Sequence, residues 1–199
     1  FARIGMGTSG EAAYSNTATI RFSGDTDSGG YGWAYFPGDR AVSSLSGDVF
    51  LNTSGSDFAD VSAGSYEFLA LVHEIGHALG LDHPGAYNGG SPTYAADAEY
   101  LQDSRQFTVM SYFDAENTGA VHGWNFATTP LLHDIAAVQS LYGANYATRS
   151  GDTTYGFHNT SGSESFAITS ATDQTVFAIW DGGGVDTLDL SGYRTDQRI

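Results

Sequence analysis

Cysteine and lysine are both absent from the 199 residues. Without thiols the chain has neither a disulfide framework nor thiolate metal ligands, so any metal must be held by nitrogen and oxygen. The seven basic residues, all arginines, stand against 23 acidic residues and give a formal net charge of −16. Such an acidic surface repels phosphate backbones and anionic lipid, which argues against nucleic-acid and membrane partners. It suits divalent cations and an extracellular medium.

Long apolar runs are absent as well. The chain has no run of about 18 apolar residues that would span a bilayer, and its start lacks the charged and apolar regions of a signal peptide. Apolar residues still make up 41% of the chain, enough for one domain with a core and an appended module. Twenty-six glycines against four prolines indicate many turns and short strands. Because no initiator methionine is present, we expect a fragment or a processed product.

Residue periodicity predicts two helices and several short strands, which makes the chain α+β. The first helix is expected over 66–79 with Ser65 as its N-cap, and the second over 130–142, with Pro130 at its start and Gly143 just past its end. We expect a boundary between two modules near 145–150. Strands are predicted at 18–22, 31–36, 48–52, 165–168 and 175–180.

The stretch HEIGHALGLDHPG has the spacing of a catalytic zinc site. On a helix of about 100° per residue, His73 and His77 lie one turn apart on one face, with apolar residues roughly opposite. Gly80 can take a left-handed conformation, end the helix and let the chain bring His83 to the same point. Three histidines leave a fourth coordination position open, as catalytic zinc requires. Glu74 flanks the pair and is the predicted general base toward water.

The competing interpretation of this stretch is a helix of hydrogen-bonded core histidines, because two histidines at this spacing also occur by chance. The addition of Gly80 and His83 at their offsets favours the metal site. The remaining histidines, His122, His133 and His158, are expected at the surface or in local hydrogen bonds rather than at a metal.

These residues resemble the metzincin metalloproteases, whose signature is HExxHxxGxxH followed downstream by a Met-turn. A candidate Met-turn is present as TVMSY, centred on Met110. Pro84 after the third histidine and the turn sequence MSYF narrow the resemblance to the serralysins, secreted bacterial proteases with a calcium-binding repeat roll. The segments PTYAADAEYLQDSRQFTVMSYF and PLLHDIAAVQSLYGAN are similar to serralysin segments too, although His133 stands where that family tends to carry an acidic residue.

The resemblance implies that Glu74 is the general base and that Met110 forms an apolar floor beneath the metal. Tyr112 is implied both as a displaceable zinc ligand and as a catalytic phenol that donates a hydrogen bond to the oxyanion of the intermediate. The competing interpretation is that Met110 and Tyr112 are ordinary core residues. The implied zinc ligands are His73, His77, His83 and Tyr112.

The segment YGWAYF resembles the family's edge strand above the cleft, where an extended substrate adds as an antiparallel partner. Backbone pairing of this kind gives affinity with little sequence preference. An ordinary edge strand is the alternative. The implied substrate-binding residues are Gly32, Trp33, Ala34 and Tyr35.

The segment DGGGVDTLD nearly fits the nonapeptide GGxGxDxUx of calcium-binding β-rolls, with Asp181 in place of the first glycine. Its glycines allow a tight turn, Asp186 and backbone carbonyls supply oxygen ligands, and Leu188 is expected to point inward. A plain Gly-Asp hairpin turn is the alternative. The resemblance implies that the segment after the second helix completes the site, with calcium ligands Arg149, Gly151, Thr153, Asp181, Gly183, Gly184 and Asp186.

The implied fold is an α+β metzincin catalytic domain in 1–147, with a twisted, mixed and mostly parallel sheet and an antiparallel edge strand. Residues 148–199 are implied to open a calcium-binding parallel β-roll. The family has a further helix and strand ahead of ATIRF, so we expect the first domain to be incomplete at its N-terminus. Because a single repeat cannot bury its own face, the roll is expected to be truncated.

The implied function is that of a secreted, extracellular zinc-dependent endopeptidase with one catalytic zinc ion and structural calcium. Its expected partners are protein or peptide substrates and a small proteinaceous protease inhibitor, with neither nucleic acid nor membrane, and it is expected to be a monomer. Two alternatives stay open: a catalytically inactive zinc- and calcium-binding adhesin-like module, and a zinc amidase acting on cell-wall peptide. An inactive module has no need of Glu74, and an amidase has no need of a strand that receives extended peptides.

Overall fold

The structure, a computed structural model, describes residues 19–26, 30–41, 44–54, 58 and 60–196. It is a mixed α+β fold with small sheets and few helices. Single-turn 3-10 helices occur at Ala115–Thr118 and Glu164–Phe166. The strands and α-helices are β1 (Phe22–Asp25), β2 (Gly32–Ala34), β3 (Val49–Asn52), α1 (Tyr66–Ala78), α2 (Tyr94–Asp97), α3 (Leu132–Tyr142), β4 (Thr154–Gly156) and β5 (Thr187–Asp189).

The first three strands form one mixed sheet in the order β1-β3-β2. β1 runs parallel to β3, with Phe22 opposite Val49, and β2 runs antiparallel to β3, with Gly32 opposite Leu51. The expected antiparallel strand therefore lies at the edge of the described sheet. The prediction of a strand over 18–22 is wrong for the described part of that range, because β1 begins only at Phe22, and residue 18 lies outside the described residues.

Helix α1 confirms the predicted N-cap and the predicted stop. The Ser65 hydroxyl accepts a hydrogen bond from the Phe68 N–H at 3.0 Å. At the other end Gly80 has a φ of 95°, its N–H donates to the His77 carbonyl at 2.8 Å, and the Leu81 N–H donates to the Gly76 carbonyl at 2.9 Å. These two bonds are the Schellman motif, which needs a left-handed residue such as glycine. The chain reverses direction immediately after the helix.

Helix α3 begins two residues later than expected, at Leu132 rather than at Pro130. The Asp134 carboxylate accepts a hydrogen bond from the Leu131 N–H at 2.7 Å, so Leu131 is the N-cap residue and Pro130 lies outside the helix. Helices α1 and α3 pack around one apolar cluster. The segment that precedes α3 and the C-terminal segment contribute to the same cluster. The buried members are Leu69, Leu81, Val109, Met110, Ala127, Leu131 and Ala178.

The predicted strands at 165–168 and 175–180 are wrong. Residues 164–166 form a 3-10 helix whose start is capped by the Ser163 hydroxyl, and Val176 makes only an isolated bridge to Ala127. The regular pairing in this part of the chain is between β4 and β5, which run parallel with Thr154 opposite Thr187. Among the described residues, no helix combines the length and the apolar character that crossing a bilayer takes.

Candidate metal centre

Three imidazoles converge at the end of α1. The Nε2 atom of His83 lies 3.1 Å from Nε2 of His73 and 3.2 Å from Nε2 of His77. A tetrahedral zinc ion with Zn–N distances of about 2.0–2.1 Å would hold two ligand nitrogens about 3.3 Å apart. The cluster therefore has the dimensions of a zinc site, and it is the only group of three or more His, Asp or Glu side chains close enough to share a metal among the described residues.

The other ring nitrogen of each histidine is hydrogen-bonded to the backbone. Nδ1 of His73 lies 2.8 Å from the Val109 carbonyl, Nδ1 of His77 lies 2.8 Å from the Leu81 carbonyl, and His83 bonds to the backbone of Tyr87. Because a carbonyl only accepts, Nδ1 of His73 and Nδ1 of His77 carry the protons, and the Nε2 atoms of these two histidines are left with lone pairs. Two such lone pairs that converge on the Nε2 atom of a third imidazole fit a cation, and the two carbonyls orient the rings of His73 and His77.

The environment keeps these imidazoles neutral, which is the form that binds a metal. Burial, followed by the neighbouring His77, lowers the pKa of His73 to about 3. Burial also lowers the pKa of His83 to about 4, and it lowers the pKa of His77. The absence of cysteine leaves nitrogen and oxygen ligands only, and three neutral histidines are a donor set that zinc favours.

Met110 packs directly against α1. Its side chain is 2% exposed, and a Cβ atom added at Gly76 would lie 2.4 Å from the Met110 sulfur. Any larger residue at position 76 would collide with that sulfur, so the glycine between Ile75 and His77 lets the methionine approach the helix. The sequence motif predicts Met110, whereas the reason for a glycine at position 76 appears only in the structure.

Asp134 connects α3 to this centre, and sequence analysis missed it. Its carboxylate, 3% exposed, accepts hydrogen bonds from the Thr108 hydroxyl and from the Val109 N–H at 2.9 Å, besides capping its own helix. The Val109 carbonyl in turn accepts from His73. Asp134 does carry a sequence signal. Leu131 has no polar side chain to cap the helix, and an acidic residue three positions later can accept a hydrogen bond from its backbone N–H.

Of the remaining histidines, His133 and His158 lie in local contacts, as expected. The His133 ring stacks on Phe107 with centroids 5.4 Å apart, and Nδ1 of His158 lies 2.8 Å from an Asp189 carboxylate oxygen. His122 is half-buried, and burial lowers its pKa.

Glu74 is a buried acid beside the histidine pair. The side chain is 7% exposed, and its Oε2 atom has no hydrogen-bond partner among the described residues. Burial raises the pKa of Glu74 to about 7. The side chain also borders β2, because a Cβ atom added at Gly32 would lie 3.2 Å from the Glu74 Cγ. The Glu74 side chain thus packs against the edge strand.

The Tyr112 ring borders the cluster, with its centroid 4.6 Å from that of His83 and 5.9 Å from that of His73. Its hydroxyl accepts a hydrogen bond from the Gly89 N–H at 3.3 Å, and burial raises its pKa.

The edge strand is shorter than the predicted 31–36. Gly32, Trp33 and Ala34 form β2, whereas Tyr35 lies just outside it, although its N–H still donates to the Asp48 carbonyl at 3.1 Å. Trp33 stacks on Phe50 of β3 with ring centroids 4.0 Å apart, which fixes the strand on the sheet.

The two predicted halves of the calcium site lie against each other. The Thr153 N–H donates to an Asp186 carboxylate oxygen at 3.0 Å, and a Cβ atom at Gly184 would lie 2.6 Å from the Gly151 carbonyl oxygen. The Asp181 carboxylate accepts from the Gly183 N–H at 2.8 Å and from a tyrosine hydroxyl.

One expectation for this region is wrong, and one residue was missed. Leu188 does not point inward but is 38% exposed. Asp152, which is not among the expected ligands, accepts a hydrogen bond from the Val185 N–H at 2.9 Å. The Arg149 side chain donates to the Tyr155 hydroxyl at 2.9 Å, and because a guanidinium has no acceptor atom, any ligand from this residue must be its backbone carbonyl.

Comparison with known proteins gives a consistent family assignment. Residues 6–141 match a family model described as metallo-peptidase family M12B reprolysin-like, and residues 144–199 match one described as peptidase M10 serralysin C terminal. The chain is 45% identical over 197 residues to metalloprotease AprA of Pseudomonas entomophila, which covers 95% of this chain and 40% of the relative. It is 42% identical over 190 residues to serralysin B of Dickeya chrysanthemi, a match that covers 94% of this chain and 38% of the relative. It is 51% identical over 138 residues to the serralysin of Proteus mirabilis, a match that covers 68% of this chain and 28% of the relative. The chain thus spans about two fifths or less of the length of these curated relatives.

Proposed function

The chain belongs to the serralysin-type metzincin metalloproteases, and from this premise we propose that it forms the catalytic part of a secreted zinc endopeptidase. The observation that carries the proposal is the convergence of three imidazole Nε2 atoms at the end of α1, together with the buried carboxyl group of Glu74, whose Oε2 has no partner among the described residues. His73, His77 and His83 would hold the zinc ion. When bound, zinc supplies a Lewis acid that lowers the pKa of water to about 7.

Glu74 acts as the general base. One carboxylate oxygen takes a proton from the attacking water and later delivers it to the nitrogen of the leaving amine. Burial supports this role, because it brings the pKa of the carboxyl group to about 7, where the group can both accept and release a proton near neutral pH.

Tyr112 takes two roles in this proposal. Its hydroxyl would be a displaceable zinc ligand at rest, and when substrate binds it would donate a hydrogen bond to the oxyanion that forms at the scissile carbonyl. One such donor contributes about 3 kcal/mol to lowering the barrier. Support comes from the position of its ring against His83 and from a hydroxyl that accepts one long hydrogen bond, at 3.3 Å from the Gly89 N–H, within the described part of the chain.

An extended protein or peptide substrate pairs antiparallel with Gly32, Trp33, Ala34 and Tyr35. The adjacency of Gly32 to Glu74 supports this, because it would bring the paired backbone next to the general base. The same cleft is the surface that a small proteinaceous inhibitor would cover, and the protein acts as a monomer.

We divide the chain into a catalytic domain, 1–147, and the opening segment of a calcium-binding β-roll, 148–199. The parallel pairing of β4 with β5 and the close contact between 149–153 and 181–186 support a roll-like turn. Hard oxygen ligands from such turns suit Ca²⁺. The proposed calcium ligands are Arg149, Gly151 and Thr153, chiefly through backbone carbonyls, together with Asp181, Gly183, Gly184 and Asp186.

Replacement of Glu74 by Gln tests the proposal, because it removes the base and keeps the shape of the side chain. We expect cleavage of casein and of extended peptides to fall by about 100-fold or more, while metal analysis still finds one zinc ion per chain. A hydroxamate should inhibit the unsubstituted protein. Unchanged cleavage after the substitution, or a chain that binds no zinc, would contradict the proposal.

The two alternatives predict different results in the same assays. A zinc-loaded protein that cleaves no peptide would be the inactive binding module. Hydrolysis of cell-wall peptide amides, with extended peptides left intact and no effect of the hydroxamate on their turnover, would identify the amidase.

A further inference from the structure

We propose that Asp103 is a positioning residue. It holds His83 and Tyr112 in their positions relative to the two histidines of α1. This inference rests on the proposed zinc peptidase function. Asp103 lies in the irregular segment between α2 and the Met-turn, and within the described residues its side chain is hydrogen-bonded to Tyr87 and Ser111 rather than to the three histidines or to β2. Its proposed role is therefore to fix the geometry of other residues rather than to take part in the reaction.

Asp103 is a fully buried acid in a part of the chain with little regular structure. Its side chain is 0% exposed, and a single oxygen, Oδ1, accepts from the Tyr87 hydroxyl at 2.8 Å and from the Ser111 hydroxyl at 2.7 Å. The second oxygen, Oδ2, has no partner among the described residues. Burying a carboxyl group is costly, so two hydroxyl donors that converge on one atom indicate a specific constraint.

The first donor leads to the third histidine. The ring of Tyr87 stacks on that of His83 with centroids 5.5 Å apart and an interplanar angle of 25°. The backbone of Tyr87 is also hydrogen-bonded to the His83 ring. Holding the Tyr87 hydroxyl therefore fixes the plane of the His83 ring.

The second donor leads to the tyrosine. The Ser111 hydroxyl donates to Asp103 and accepts from the Phe113 N–H at 3.1 Å, which fixes the backbone on both sides of Tyr112. The backbone of Tyr112 is also hydrogen-bonded to the Tyr87 hydroxyl. Asp103 is thus the point at which the loop that carries His83 meets the loop that carries Tyr112.

The experiment compares Asp103→Ala with Asp103→Asn. The alanine removes the shared acceptor, and we expect the zinc affinity, measured by competition with a chelating dye, to fall by about 10- to 100-fold. For peptide cleavage we expect kcat to fall by a larger factor than KM changes, because Tyr112 acts in the transition state. The asparagine keeps an oxygen at Oδ1 and should return both quantities close to those of the unsubstituted protein.

Asp48→Ala is the matched control. Asp48 is also buried, but it pairs with Arg21 in the sheet and is bonded to neither loop. Its loss should lower thermal stability and leave the zinc affinity of the folded protein unchanged. If Asp103→Ala fails to fold, Tyr87→Phe and Ser111→Ala each remove one donor, and we expect each to weaken zinc binding.

The outcomes separate this inference from the proposed function. Zinc affinities in the Asp103, Tyr87 and Ser111 variants that match those of the Asp48 control would overturn the role of Asp103 alone. If the unsubstituted protein binds no zinc, the proposed function fails and this inference fails with it.

Discussion

The two halves of the proposed metal centre are held in place by different means. The helix half belongs to α1 and consists of His73, Glu74 and His77; the loop half lies in irregular chain and consists of His83, Met110 and Tyr112. Backbone hydrogen bonds of α1 fix the helix half, so it needs little beyond a cap and a stop. Buried carboxylates fix the loop half from a distance. Half of this site is therefore encoded locally and half through long-range side-chain hydrogen bonds.

Removal of the metal should produce the largest difference in stability between the loop half and the helix half. A ligand present at about 1,000 times its dissociation constant stabilises the folded state by about 4 kcal/mol. We therefore expect chelation to lower the melting temperature and zinc to restore it. Hydrogen exchange should rise more in 83–90 and 108–113 than in α1, because the loops lose a partner that the helix does not need. Equal exchange in both halves would contradict the division.

Asp134→Ala should destabilise the loop half, because it removes the hydrogen bonds that attach residues 108–109 to α3. It leaves the Val109 and Leu131 N–H groups and the Thr108 hydroxyl without their acceptor. Hydrogen bonds to charged groups contribute about 1.5–3 kcal/mol each, so we expect a loss of about 3 kcal/mol or more. Urea unfolding measures it, and Asp134→Asn, which keeps one acceptor oxygen, should lose clearly less. A loss below 1 kcal/mol, roughly the value of a single neutral hydrogen bond, would show that α3 does not anchor the Met-turn.

Gly76→Ala tests the contact between the halves. Its Cβ atom would meet the Met110 sulfur at 2.4 Å, and overpacking of this kind costs about 1–3 kcal/mol. In a Met110→Ala background the same substitution should be neutral or stabilising, because alanine favours a helix over glycine by about 1 kcal/mol. A double-mutant cycle from thermal unfolding gives the coupling. Additive effects would mean that the sulfur does not constrain position 76.

Ser65→Ala should have the smallest effect and should act on the helix half alone. It removes the acceptor of the Phe68 N–H, and loss of such an N-cap costs about 1 kcal/mol. Equilibrium unfolding measures the cost. Because the cap lies at the far end of α1, we expect zinc affinity to stay unchanged in the folded variant, and Ser65→Asp should restore the stability.

The same contrast explains which features could be predicted from the sequence. The cap at Ser65, the reversal at Gly80 and the convergence of the histidines follow from helical periodicity and turn chemistry, which are local. Asp103, and the contacts of Asp134 with Thr108 and Val109, escaped notice because these hydrogen bonds join residues 8 to 26 positions apart. Only the capping role of Asp134 toward Leu131 has a local sequence signal. The strands at 165–168 and 175–180 were wrong for a related reason. Apolar alternation there reflects packing against the core, whereas the parallel pairing is made by residues beyond Asp186.

Leu81 has two tasks that depend on one length of chain. Its N–H closes the end of α1 on Gly76, and its carbonyl orients the ring of His77. Adding or deleting one residue between Gly80 and His83 would therefore misplace the helix end, the second ligand and the third ligand together. Engineers who wish to vary this scaffold should keep that spacer invariant and introduce length changes in the solvent-exposed chain around Gly90–Ser91 instead.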